Sequence, residues 1–223
     1  MNLSSYEEIM IKKLFLLFLI VLLSGCYSTS NLNLKNIPET PYDNRLVIAV
    51  IDFQNKSGDP DNDKLMKGIS GTMLSELQNS KHFRLIERQK LKSILEELSL
   101  SLTGLINPDK AKKIGKLLGV DALLFGSLSS VKYAKNKQTV FIAWTEGQKV
   151  EISLDARLVN VKTGEILAAS KSSSYVKQRN WVAFWFARIG QKTNKSSILQ
   201  TGIDLNCKQL ANDIANRAPV KSS

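Results

Sequence analysis

The sequence predicts an α/β fold, a mixed β-sheet with helices packed against it in a single domain, with one β-hairpin that contacts a membrane. Three observations carry the fold class. Leu46 to Phe53 is a nearly continuous apolar run, the pattern of a strand buried on both faces, and helical periodicity follows it. From Ala122 the period changes: Val150, Ile152, Leu154, Ala156 and Leu158 alternate with polar residues, as in an antiparallel strand with one wet face. Hydrophobic residues make up 43% of the 223-residue chain, which excludes a disordered chain, and 12 Gly with 5 Pro exclude a collagen-like one.

The first residues read as an address and not as part of the fold. Lys12 and Lys13 precede the apolar run FLLFLIVLL (15–23), and Ser24-Gly25-Cys26 follows. A basic segment, a short apolar segment and small residues before a cut make a secretory signal, here residues 1–25, with Met10 also fitting as a start. The run is shorter than the roughly 20 apolar residues that span a bilayer. Leu23-Ser24-Gly25-Cys26 resembles the bacterial lipobox, in which the cysteine is lipidated, so Cys26 is expected to be an acyl anchor. Tyr27 stands where an Asp would hold a lipoprotein at the inner membrane, so this resemblance implies the periplasmic face of the outer membrane. Residues 26–44 then read as the anchor and a polar tether, at most roughly 60 Å long when fully extended.

The domain itself is expected over 45–217, with a tail at 218–223. After the first strand, Leu65, Met66, Ile69, Met73, Leu74 and Leu77 mark a helix ending near Asn79. Gly68 and Gly71 inside it are expected to allow close packing. Phe83 to Ile86 is a short strand, and Leu91, Ile94, Leu95 and Leu98 mark a second helix. Asn107-Pro108-Asp109 combines a capping side chain, proline at the first helical position and an acid, so a third helix starts there and stops at Gly119. Strands are predicted at 122–133, about 140–145, 149–161 and 166–176, with Lys162-Thr163-Gly164 turning the hairpin between the last two. Leu199, Ile203, Cys207, Leu210 and Ile214 form the stripe of a closing helix over about 197–216.

Four segments in order resemble the CsgG family of curli transport and assembly lipoproteins. They are AVIDFQNKSGD (49–59), RLIERQKLKSILEE (84–97), AKKIGKLLGVDALLFGSL (111–128) and LVNVKTGEILAAS (158–170). The resemblance implies a periplasmic α/β domain tied to the outer membrane, working as a homo-oligomer in secretion or assembly of surface material. It also implies two inserted hairpins per subunit, as strands of a transmembrane barrel. The corresponding segments here have the centres VFIAW (140–144) and WVAFWFA (181–187), apolar on both faces where a barrel strand alternates. A second reading is a non-enzymatic periplasmic lipoprotein without a pore, regulating a cell-wall synthase or envelope machine.

The sharpest candidate site lies at 175–197. The window 166–203 has no Asp or Glu, and places Lys177, Arg179 and Arg188 around Trp181, Phe184, Trp185 and Phe186. Aromatics between cations suit a membrane interface or a contact between subunits. Other candidates are weaker. Asp59, Asp61 and Asp63 alternate like calcium ligands, but the glycine and glutamate such a loop needs are replaced by Lys64 and Ser70, so helix capping is expected. Glu87-Arg88 reads as a salt-bridged helix start or a subunit contact, His82 as a structural strand-edge residue with no visible partner, and Cys207 as a buried small hydrophobe. No catalytic residue, metal set or cofactor is predicted, because a single histidine and no phosphate loop leave no nucleophile–base set. A net charge of +11, unchanged by loss of residues 1–25, points to outer-membrane lipid, an acidic secreted client or an envelope protein as partners, and not to nucleic acid.

Overall fold

The computed structural model describes residues 12–13, 27–97, 108–140, 143–183, 187–189 and 194–221. Eight described strands form one mixed sheet in the order β1-β7-β6-β5-β2-β4, with β3 beside β5 and β8 beside β7. They are β1 (Tyr27–Thr29), β2 (Leu46–Val50), β3 (Gln54–Asn55), β4 (Phe83–Leu85), β5 (Ala122–Val140), β6 (Ala143–Asn160), β7 (Ile166–Ala183) and β8 (Ala187–Ile189). β2 runs parallel to β4 and β5, whereas β5, β6 and β7 form an antiparallel meander. The helices are α1 (Asp63–Asn79), α2 (Arg88–Glu97), α3 (Pro108–Leu118) and α4 (Lys195–Arg217). No helix among the described residues is long and apolar enough to cross a membrane.

Two apolar clusters on opposite faces of the sheet explain the unbroken run at β2. Ile48 and Val50 join Met73, Leu124, Leu154 and Leu210 under α1 and α4. Ala49 and Ile51, the alternate residues, join Leu91, Ile114, Leu118 and Leu123 under α2 and α3. α4 lies across β6 and β7, and Gly202 is its point of closest approach: a Cβ there would sit 2.9 Å from Ile152 Cδ1. Asn206, fully buried one turn later, reaches the Ile152 carbonyl at 3.0 Å and Ser174 Oγ at 2.8 Å through Nδ2. A polar side chain is thus spent on locking the helix to the middle of the sheet. α3 ends as expected: Gly119 has φ +66°, and the Gly119 and Val120 amides donate to the carbonyls of Lys116 and Gly115.

Several expectations need correction. The strands do not break near 133, 145 or 176; β5, β6 and β7 run through as continuous elements of 19, 18 and 18 residues. Their polar middle, Lys135 to Gln138, lacks the alternation that marks a strand in sequence, and is carried by the backbone ladder instead. Residues 27–44 do not hang free. β1 pairs with β7, the Asn33 backbone exchanges two hydrogen bonds of 3.0 Å with the Gln209 side chain, and the Lys35 backbone exchanges two of 2.9 and 2.8 Å with the Asn212 side chain. His82 is buried and has a partner on that same arm, since its Nδ1 meets Thr40 Oγ1 at 2.7 Å. Burial lowers its pKa; the Ala218 backbone pulls the other way and the charge of Arg45 adds to the lowering. Gly68 and Gly71 pack against nothing: a Cβ at either would meet no atom within 4 Å.

Candidate functional site

α4 covers the β5–β6–β7 meander only as far as one row of residues. That row is Tyr133, Val150 and Val176, with both valines fully buried and Lys195, at the start of α4, set 5.1 Å over the Tyr133 ring. Beyond it the three strands continue past α4. From Val150 to the start of β6 at Ala143 is seven residues, about 24 Å at ~3.4 Å per residue.

The part next to the domain is a stem, polar on both faces. On the side that α4 covers lower down, register sets Lys135 opposite Gln148 and Gln148 opposite Gln178, with Lys137 opposite Glu146 in the next row. Tyr133 Oη donates to Gln148 Oε1 at 2.7 Å, joining stem to core. On the open side, Lys149 lies opposite Ala134 and Lys177, and Gly147 opposite Asn136 and Arg179. Lys149 and Lys177 are therefore like charges directly across a strand pair, an arrangement that is destabilising by itself. Among the described residues none of Lys149, Lys177 and Arg179 has an ion-pair partner. Because Gly147 contributes no side chain, the three cations border a shallow concavity of about 160 Å³, with Asn136 and Tyr175 completing its wall.

Past the stem comes a tip. Register pairs Val140 with Ala143, Ala143 with Ala183 and Ala183 with Ala187, so the described residues of the apolar segments 140–144 and 181–187 lie at the same end of the sheet. The site residues expected from sequence fall along this axis. Lys177 and Arg179 share the open face of the stem, Trp181 occupies a tip position opposite Thr145 and Ile189, and Arg188 lies in β8 opposite Val182. Cys26, Phe184, Trp185 and Phe186 lie outside the described residues. The next residue after Cys26, Tyr27, is opposite Gln178 of the stem, and β1 runs antiparallel to β7. Sequence reading singled out Lys177 and Arg179 and set Lys149 on the wet face of its strand without joining it to them; Gly147 and Asn136 were not singled out. Continuing the alternation of β6 backwards from Lys149 would have added Gly147.

The remaining candidates have structural partners. Asp59 accepts from the Asp61 amide and caps the 3-10 turn Pro60–Asn62, while Asp63 accepts from Asn55 Nδ2 at 2.6 Å and opens α1. Arg88 pairs with Asp52 across the ends of β2 and β4, and Glu87 is exposed. Cys207 is buried, and burial followed by the charges of Asp204 and Glu76 pushes its thiol far above the ordinary range, which leaves it inert. No group of three or more metal-ligating side chains occurs among the described residues.

Comparison with known proteins adds the following. The family description "curli production assembly/transport component CsgG" matches residues 31–201. No curated protein matches the chain. Among solved structures, the LpoB C-terminal domain from Salmonella enterica is 24% identical, with 57% of this chain and 81% of that one covered and a TM-score of 0.42. A lipoprotein from Neisseria meningitidis is 16% identical, with coverages of 70% and 89% and a TM-score of 0.44. A PelC dodecamer from Paraburkholderia phytofirmans is 12% identical, with coverages of 86% and 99% and a TM-score of 0.38.

Proposed function

Since this chain belongs to the CsgG family, we propose that it is a non-enzymatic lipoprotein, anchored through Cys26 to the periplasmic face of the outer membrane, that acts as a homo-oligomer in secretion or assembly of surface material. The observation that carries the reading is the stem and tip: three strands extend about 24 Å past the helices and bring two apolar segments to one end. β1 supports it by setting Tyr27, the residue after the proposed anchor, opposite Gln178 in the stem. An acyl chain and an apolar, aromatic tip are two membrane signals acting together, as stable anchoring requires.

The clamped arm favours work at the membrane surface. With residues 27–44 held on β7, α4 and His82, little free chain separates the anchor from the domain, so a reach across the periplasm is not supported. The stem bears on the pore. A barrel strand presents one apolar face over about 9–11 residues, and here Lys135, Gln148 and Gln178 on one face and Lys149, Lys177 and Arg179 on the other leave no such face. That favours a tip seated in the interface, with no transmembrane barrel. The test is the mass of the acylated protein extracted in mild detergent. A discrete assembly of many subunits is expected; a monomer would overturn the oligomeric reading and leave the pore-less regulator of an envelope enzyme as the better account.

A further inference from the structure

We propose that the concavity on the open face of the stem, bordered by Lys149, Lys177 and Arg179, binds the phosphate group of an anionic membrane lipid. The inference rests on the membrane-docking reading above and names the lipid chemistry met there.

The side chains fit an oxyanion, and no acid among the described residues neutralises them. Lys149 and Lys177 face each other across the β6–β7 pair, with Arg179 one row further on the same face. The closest acid on that face, Glu151, lies one row nearer the core, opposite Lys132 and Tyr175, and makes no ion pair with any of the three. Two ammonium groups and a guanidinium converging from two strands match the several oxygens of a phosphate, which a guanidinium can hold through two parallel hydrogen bonds. Tyr175 and Asn136 add neutral hydrogen-bonding groups at the wall. The missing side chain at Gly147 leaves the floor open opposite Arg179. A bound phosphate would also relieve the Lys149–Lys177 repulsion that the sheet otherwise carries.

Position decides the source of the phosphate. Arg179 is two residues from Trp181 and four from Ala183 on β7, or about 7 and 14 Å along the strand. An interfacial element sinks its apolar part roughly 5–10 Å into the boundary between headgroups and acyl chains. With the tip at that depth, the Lys177–Arg179 level lies among the headgroups. Tyr27 is opposite Gln178, so the segment leading to the acylated residue sits at the same level. Lipid phosphates surround the concavity there, whereas a soluble anion would have to compete with them.

The experiment uses the acylated full chain in vesicles of phosphatidylcholine alone, or with about a third of it replaced by phosphatidylglycerol. The acetylation rates of Lys149 and Lys177 by an amine reagent are followed by mass spectrometry, with Lys162, in the turn at the opposite end of β6, as internal reference. Phosphatidylglycerol should slow both lysines severalfold relative to Lys162, and Arg179→Gln should remove most of that protection at an unchanged circular dichroism spectrum. Equal rates in the two vesicle types would overturn the proposal. So would equal protection by inorganic phosphate in neutral vesicles, which would make the site one for a free anion. Protection by polygalacturonate and not by phosphatidylglycerol would assign it to an acidic polymer instead. Failure of the membrane-docking reading is distinguishable, because the tryptophans, all three of them in the tip segments, would then escape quenching by brominated acyl chains in either vesicle type.

Discussion

The same three strands, β5, β6 and β7, are two different materials along their length. In the inner half each row on the helix side is filled by residues such as Leu128, Leu154, Ile152 and Val150, all buried, and α4 closes over them. In the outer half the backbone register is continuous, but the rows hold lysine, glutamine, asparagine and glycine, and α1 to α4 cover neither face. The inner half is held by burial and the outer half by ladder hydrogen bonds and cross-strand pairs. Those pairs contribute roughly 0.2–1 kcal/mol each, against about 1.5–3 kcal/mol for a buried aliphatic side chain. A sheet can therefore be extended well past its core, provided the extension spends few apolar residues until its end.

The strongest test of that contrast is a pair of truncations. Leu154→Ala should cost about 2–5 kcal/mol in a urea titration, because the side chain is fully buried between sheet and α4. Asn136→Ala, in the exposed stem, should stay within about 0.5 kcal/mol. Comparable losses at the two positions would mean that the stem folds as part of the core. A smaller effect sharpens the boundary between the halves. Asn206→Ala removes the amide that reaches the Ile152 carbonyl and Ser174 Oγ beneath α4, and should cost about 1–3 kcal/mol. Hydrogen exchange should then rise in α4 and the inner halves of β6 and β7, with the stem amides unchanged.

What was legible in the sequence follows the same division. β2, α1, the α3 stop at Gly119 and the buried stripe of α4 were all readable, because burial writes a period into the residues it selects. The stem was not. Its strands are set by pairing to neighbours that are themselves set by the core, so Lys135 to Gln138 carry no local mark of being a strand. The arm at 27–44 was misread as a tether for a related reason. Several of its contacts join backbone groups of Asn33 and Lys35 to the side chains of Gln209 and Asn212, some 176 residues away in sequence, and a backbone group leaves no mark in the residue pattern. The cationic half of the candidate site was visible on β7 as a run without acids, while its partner Lys149 needed the register.

The smallest expected effect separates the two halves by pH. The single histidine, His82, belongs to the covered half, buried beside Phe83 and hydrogen-bonded to Thr40 on the clamped arm. The stem holds no histidine. Burial lowers the His82 pKa below its ordinary 6.5, so the unfolded chain takes up a proton first as pH falls. Its stabilising contribution is complete above about pH 6.5 and declines as pH drops from there through the folded pKa. Urea midpoints should fall between pH 7 and about 5.5 in the native chain and stay level in His82→Gln, over a range that ends before the carboxylates titrate. In the same interval exchange should quicken in β4 and along residues 30–44, where Thr40 meets the His82 ring, and not in the stem. A stability loss of the same size in His82→Gln would place the acid-sensitive group elsewhere and remove the arm from the covered half.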